Sequence, residues 1–587
     1  MVNRRFAFFA FWSTCTFGFS ILSPQHRSTE IQPTINLNSS KNITFRGALA
    51  DGVESFLNIR FGEDTSSKNR FAAPKPYVYP DNLVVDASQP GAACPQQKVP
   101  FPTFPIFDNV TRISEDCLTL RVDRLANISS FAKLPVMVFI YGGGDTVGQI
   151  YDSAYDPNGL VSRAHDIGSP VIYVAMNYRL GIFGFAATPA LNAMGSLNVG
   201  LLDQRLALSW VSQHIAAFGG DPEKVTIFGE SDGATGIGLQ ITAYGASSSV
   251  RLFQRAIMQS GGPTADTGTA SNLSAVHTAQ VVQLLNCTSS NSEMELSCLR
   301  ELPMHAILST AIAYEQTLNP DGGLDVFIPT SPSPFIPDSP SNLLKSGRFL
   351  HGIDIITGWN ENDGSFFVPS TLASDSDLAE WLASAFPGLS PKNTQLVQTL
   401  YPASLFRNDT AENVSVQYFR ASQMQRDAGY TCPSLLMLEA NANFSSTTTS
   451  NYLYALNQTV FSGSFAELNL SYYGVSHFSD IPYVFNQAAT RYASQSSTSD
   501  IALSSKLSAS WASFTAYGQP SKGKGTLQGW SEAVTLSSRS EGTYDLQVIG
   551  GPENILQSIG PSGTYDEHLL ERCRFWNSDE VLAELMV

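Results

Sequence analysis

The run Val225-Thr-Ile-Phe-Gly-Glu-Ser-Asp-Gly-Ala234 constrains the fold more than any other stretch of the chain. Four apolar or β-branched residues lead into Gly229-x-Ser231-x-Gly233, and small helix-compatible residues follow. A strand, a turn and a helix in immediate succession are the setting in which this pentapeptide lifts a serine hydroxyl clear of a strand end. The turn is so tight that residues without a Cβ are required two positions either side of the serine. The same five residues also occur in ordinary turns, so the rest of the chain must supply what makes Ser231 a nucleophile.

A serine hydroxyl reacts poorly at neutral pH unless a base, an orienter for that base and donors for the oxyanion surround it. Upstream, Pro135-Val-Met-Val-Phe-Ile-Tyr141 reads as a buried strand running into Gly142-Gly-Gly144, a backbone free to turn its N–H groups inward. The expected donors are the N–H groups of Gly143, Gly144 and Asp232. Of eight histidines, only His477 and His568 lie far downstream, where the base of such a site belongs. His477 sits in a glycine-containing loop before an apolar run, whereas His568 sits among charged residues in a predicted C-terminal helix. For the acid, Asp354-Ile-Ile-Thr-Gly358 reads as a strand opening into a loop that holds both Glu361 and Asp363. Spacing alone does not separate those two.

Further segments carry a resemblance. They are Glu115-Asp-Cys-Leu118, Tyr141-Gly-Gly-Gly144, Asn177-Tyr-Arg-Leu-Gly-Ile-Phe-Gly-Phe185, Gly200-Leu-Leu-Asp-Gln-Arg205 and Phe218-Gly-Gly-Asp-Pro222. Gly229-Glu-Ser-Asp-Gly233, Met258-Gln-Ser-Gly261, Asn362-Asp-Gly-Ser365, Ile481-Pro-Tyr-Val-Phe485 and Arg572-Cys-Arg-Phe-Trp-Asn577 continue the series in order. The chain thus resembles the type-B carboxylesterase/lipase family, which holds cholinesterases, fungal lipases and the non-catalytic neuroligins. The resemblance implies an α/β-hydrolase fold, with a large mostly parallel sheet flanked by helices and long loop insertions. It places the acid directly before a glycine, at Asp363, with Ser231 as nucleophile and His477 as base. It also implies three disulfides; with Cys15 of the seven cysteines set aside in the N-terminal apolar stretch, local spacing fits Cys94–Cys117 and Cys287–Cys298 with Cys432–Cys573 left over, one of the 15 pairings of the other six.

Two residues depart from the family pattern. A small residue usually follows the nucleophile, and here it is Asp232; an aromatic usually follows the triple glycine, and here it is Asp145. The backbone N–H of Asp232 still serves an oxyanion, and its side chain is expected to turn away from the substrate. Asp145 is expected either near the mouth of the pocket, favouring polar or cationic esters, or inside a hydrogen-bond network.

Met1-Val-Asn-Arg-Arg5 followed by the apolar Phe6–Leu22 has the form of a secretory signal, leaving residues 23–587 as one hydrolase domain. The stretch is interrupted by hydroxyls and short of the ~20 residues a span needs, so no stable membrane insertion is expected. Eleven Asn-x-Ser/Thr sequons agree with secretion and glycosylation. A net charge of −17 argues against nucleic acid as a partner, since phosphates demand Lys and Arg. Apolar runs near 135–141, 170–177, 224–229, 254–258, 354–358 and 452–456 are the expected sheet strands. Pro329–Pro340 and Ser445–Ser450 read as surface loops. Gly518–Gly525 imitates a phosphate-binding loop, but it follows a predicted helix and lacks the final Ser/Thr.

The expected reaction is hydrolysis of a small carboxylic ester by acyl transfer, with water as second substrate and no metal or organic cofactor. The Cys94–Cys117 loop, with Phe101, Phe104, Ile106 and Phe107 among prolines, lies where the family carries its lid. It is shorter than the flaps of the fungal true lipases, which favours an esterase over an interfacial lipase. It has no Trp on which to seat a choline cation, which disfavours a cholinesterase. The reading from another class is a non-catalytic adhesion ectodomain of the same fold.

Overall fold

In the computed structural model, which describes residues 32–587 apart from 39, 100–106, 248–249, 319–324, 445–448, 535–541, 552–553, 561–562 and 566–567, continuous apolar runs become buried parallel strands. The segment read as a secretory signal, with Cys15, and the residues Phe101, Phe104 and Ile106 of the loop read as a lid lie outside the described residues. The first strands are β1 (Thr34–Asn38), β2 (Ile43–Arg46), β3 (Ala48–Ala50), β4 (Val53–Arg60) and β5 (Val84–Asp86). Then come β6 (Thr119–Leu125), β7 (Leu134–Ile140), β8 (Ile172–Met176), β9 (Gly220–Glu230) and β10 (Arg255–Gln259). The last are β11 (Asp354–Asn360), β12 (Asn451–Leu456), β13 (Tyr544–Ile549) and β14 (Ile555–Ile559). Every expected strand is present.

Strands β1, β2 and β5 form a small sheet, and the others form an eleven-stranded sheet ordered β14-β13-β12-β11-β10-β9-β7-β8-β6-β4-β3. Its centre, from β8 to β13, is parallel. Both faces of those strands are covered by helices, so β8 and β12 are buried at every position and need no polar alternation. The parallel register brings the C-terminal ends of β7, β9, β10, β11 and β12 to one edge, where open α/β sheets bind ligands.

Several of the family-like segments turn out to be scaffold. Arg179 grips Asp203 through two charge-assisted hydrogen bonds of 2.8 and 2.7 Å, and Arg70 grips Glu115 at 2.6 and 2.7 Å, all four side chains being buried. Near the C-terminus, Arg572 Nε and Tyr401 Oη both donate to Asp427 Oδ2 at 2.7 Å. The Cys432–Cys573 disulfide joins the same two regions, so the helix Leu569–Trp576 is pinned covalently and by ion pairing. The other expected bridges, Cys94–Cys117 and Cys287–Cys298, are also formed. Truncating one partner of such a buried pair leaves an uncompensated charge and costs about 3–5 kcal/mol.

One expectation is corrected. Pro329–Pro340 is a loop, but it faces inward: Phe335 and Ile336 are buried, and Asn198 Nδ2 donates to the Thr330 carbonyl and to Ser333 Oγ. Prolines remove backbone donors, which lets such a segment be buried with few carbonyls and N–H groups to satisfy. His568 stands at the start of the C-terminal helix as expected, and Gly518 ends the helix Thr498–Tyr517 in a left-handed conformation rather than opening a phosphate loop. Among the described residues no helix is long and apolar enough to cross a membrane.

Glu315, on the helix Met304–Leu318, is 4% exposed, and burial pushes its carboxyl up to about 7. A raised carboxyl pKa gives stability that is complete below the unfolded value and lost as pH rises through the folded one. Glu315→Gln is therefore expected to raise the melting temperature by about 1–3 °C at about pH 8.5 and to leave it unchanged at about pH 4.5. Paired thermal melts check this.

Candidate active site

The geometry around Ser231 follows from one crowded crossing. The carbonyl of Ile140, at the end of β7, lies where a Cβ on residue 229 or 233 would stand, 2.4 and 2.1 Å away respectively. Only glycine fits at both positions, so β9 passes β7 closely and turns at Ser231 with φ 58° and ψ −129°. Ser231 N donates to the Gln259 carbonyl at 2.9 Å, and the helix Asp232–Thr242 begins at once. Gly142 approaches from the other side, where a Cβ would lie 2.6 Å from that of Ser231. Gly143 (φ 117°) and Gly144 (φ 63°) then turn their N–H groups toward a common point beside the serine.

That point is filled by the chain itself. The Oδ2 atom of Asp232 accepts from Gly143 N at 3.2 Å, from Gly144 N at closer range, and from Ser231 Oγ at 3.3 Å. The expectation that this side chain turns away is thus corrected. Two inward N–H groups offer charge-assisted hydrogen bonds, each worth about 1.5–3 kcal/mol, and the carboxylate one residue after the nucleophile is within reach of both. The donor pair that would hold an oxyanion holds a carboxylate oxygen instead.

On the other side, the strand-end loop after β11 and the segment that follows β12 bring Asp363 and His477 together. Asp363 Oδ1 lies 2.9 Å from His477 Nδ1, and Asp363 Oδ2 accepts from Asn360 N at 2.7 Å. Glu361 instead faces Arg426 and Tyr565, which separates the two acids that spacing left open. The imidazole is walled by Tyr430, Phe367 and Phe478, with ring centroids 4.7, 5.2 and 4.5 Å away. Its Nε2 lies 3.2 Å from Glu230 Oε1 without the alignment of a hydrogen bond, and no hydrogen bond joins it to Ser231 Oγ. Burial, followed by repulsion from Asp480, Asp363 and Asp232, holds the Glu230 carboxyl well above the usual carboxylate range.

Three acids besides Asp232 complete the picture. Asp145 is 4% exposed, and among the described residues its carboxylate makes no hydrogen bond, so it stands neither at a solvated mouth nor in a hydrogen-bond network of those residues, which corrects both expectations for it. Asp266, on the loop after β10, and Asp325 line the same cavity of about 340 Å³ that Ser231, Asp232, Tyr430 and Phe478 line. Burial, and then the other acids, hold Asp145 and Asp266 well above the usual range. Sequence reasoning missed Glu230, Asp266 and Asp325. Glu230 was already inside the elbow motif, Asp266 follows the Met258–Gly261 segment, and Asp325 carries no local signal.

Comparison with known proteins agrees with this architecture. The model of the carboxylesterase family matches residues 41–549. The chain is 38% identical to the inactive carboxylesterase-like protein VdtD of Byssochlamys spectabilis, covering 91% of this chain and 92% of that protein. It is 36% identical to a secreted lipase of Arthroderma benhamiae, covering 94% and 95%. The structure of Aspergillus niger EstA superposes with a TM-score of 0.75 at 24% identity, covering 95% of this chain and all of the other. The fold is the α/β-hydrolase fold, and the chain belongs to the carboxylesterase family.

Proposed function

We propose that the chain is a secreted carboxylic ester hydrolase, working through an acyl-enzyme on Ser231, whose oxyanion hole is shut at rest by Asp232. The observation that carries this reading is the Gly143–Gly144 N–H pair converging beside Ser231, opposite an Asp363–His477 pair held at 2.9 Å. Family membership and secreted relatives support it.

Turnover begins when Asp232 leaves the glycine N–H groups and His477 Nε2 exchanges Glu230 for Ser231 Oγ. His477 then takes the serine proton as the oxygen attacks the ester carbonyl, and Asp363 holds the imidazole in the tautomer with Nδ1 protonated. The N–H groups of Gly143, Gly144 and Asp232 stabilise the tetrahedral oxyanion. The alcohol departs with the proton from His477, and water releases the acid by the same route. No metal or organic cofactor takes part in these steps.

Magnitudes say how much Asp232 slows this. One lost oxyanion donor costs about 2.7–4 kcal/mol. A carboxylate held about 4 Å from the forming oxyanion adds a repulsion of up to about 4 kcal/mol at an effective dielectric near 20. Asp232→Ala is therefore expected to raise kcat/KM on p-nitrophenyl acetate by about 10²-fold or more, with the change mostly in kcat. Adding Ser231→Ala should abolish the gain, and hydrolysis that persists at the parental rate would remove Ser231 from the mechanism.

A second reading rests on the same residue. A site shut by its own carboxylate is also what a non-hydrolytic ligand-binding member would show, and the 38% identical relative is named inactive. An Asp232→Ala protein that stays folded and gains no activity would favour it. Among substrates, short-chain esters without an interface are the proposed class. Rates from acetate to palmitate esters, with and without an emulsion, check this; a jump at the interface would favour a lipase.

A further inference from the structure

We propose that Asp145, Asp232 and Asp266 form a binding site for a calcium-like divalent cation, set between the triple-glycine loop and the elbow. One carboxylate oxygen from each residue lies within 4.8 Å of those of the other two. Oxygens no more than 4.8 Å apart stand near the spacing that a calcium-like ion bridges with metal–oxygen distances of about 2.3–2.6 Å, and further from the spacing that magnesium demands at about 2.0–2.1 Å. The donor set is all oxygen, which suits a hard cation.

A cluster of acids is common without an ion, and two further observations set this one apart. Asp145 is 96% buried, yet no hydrogen bond or ion pair engages its carboxylate among the described residues, and it points at the other two acids. Asp266 Oδ2 is sealed from solvent and has no hydrogen-bond partner among the described residues. The charges acting on Asp145 are those of Asp232, Asp266 and Asp325, all of one sign, and among the described residues neither Lys nor Arg lines the cavity beside them. Burying carboxylates without counter-charge is expensive, and a bound cation removes both the desolvation and the mutual repulsion.

Such an ion would also act on Asp232. It would hold the carboxylate that sits on Gly143 N and Gly144 N, fixing a residue whose departure hydrolysis requires. The binding claim itself does not depend on Ser231 being a nucleophile.

The test is calorimetric titration of calcium chloride into the full-length chain after chelator treatment, paired with thermal melts. Magnesium chloride and tetramethylammonium chloride serve as comparison ligands. The expected result is saturable calcium binding at one site that raises the melting temperature and exceeds magnesium affinity. Asp145→Asn and Asp266→Asn should each weaken it by at least about ten-fold, while Ser231→Ala leaves it in place. If Asp145→Asn does not fold, Asp266→Asn, whose backbone has no left-handed residue to disturb, decides. No saturable calcium binding by the parental chain, unchanged affinity in the Asp266 variant, or binding of tetramethylammonium in place of calcium would overturn the proposal.

Discussion

The contact of the Ile140 carbonyl with Gly229 and Gly233 fixes nearly everything else at this site. It lets β9 and the helix after it pass the end of β7 at a distance no side chain permits. The serine is thereby forced into a left-handed conformation at the turn, beside the glycine loop that follows β7. It also fixes where residue 232 begins. A small residue there leaves the glycine N–H groups free, and an aspartate reaches them. The departure from the family pattern that looks minor in the sequence is, in space, a carboxylate on the N–H groups of Gly143 and Gly144, the pair proposed to hold the oxyanion.

That placement reorganises the polar chemistry around it. Ser231 Oγ donates to Asp232 rather than toward His477, and His477 Nε2 is left against Glu230. Asp145 and Asp266, in the loops after β7 and β10, and Asp325, between the helices Met304–Leu318 and Pro340–Lys345, then face a carboxylate that the elbow geometry holds in place. The helix N-terminus favours an anion at residue 232 by only about 0.3–1 kcal/mol, less than the two hydrogen bonds from the glycines. The glycine loop therefore decides the side chain's position.

The architecture was legible because parallel strands buried on both faces read as unbroken apolar runs, as in Pro135–Tyr141 and Tyr452–Leu456. The disulfides followed from spacing together with the resemblance. Asp363 needed the resemblance, since only the fold shows that Glu361 turns to Arg426. The orientation of Asp232 was not legible. The backbone of a tight turn points its side chain by dihedral angles that composition does not encode, and the competing N–H donors lie some 90 residues away in sequence, on another strand. The acid cluster was not legible for the same reason: Asp145, Asp232, Asp266 and Asp325 come from four separate segments, three loops and a helix start, that meet only when the sheet is assembled.

The central claim is that Asp232 occupies the oxyanion hole and so limits attack by Ser231. The rate at which a fluorophosphonate modifies Ser231, followed by intact-protein mass spectrometry, reads that attack without dependence on a natural substrate. The account predicts slow labelling of the parental chain and labelling at least about 10²-fold faster after Asp232→Ala, since a phosphonyl oxygen needs the same N–H groups. Equal rates in the two proteins would contradict it.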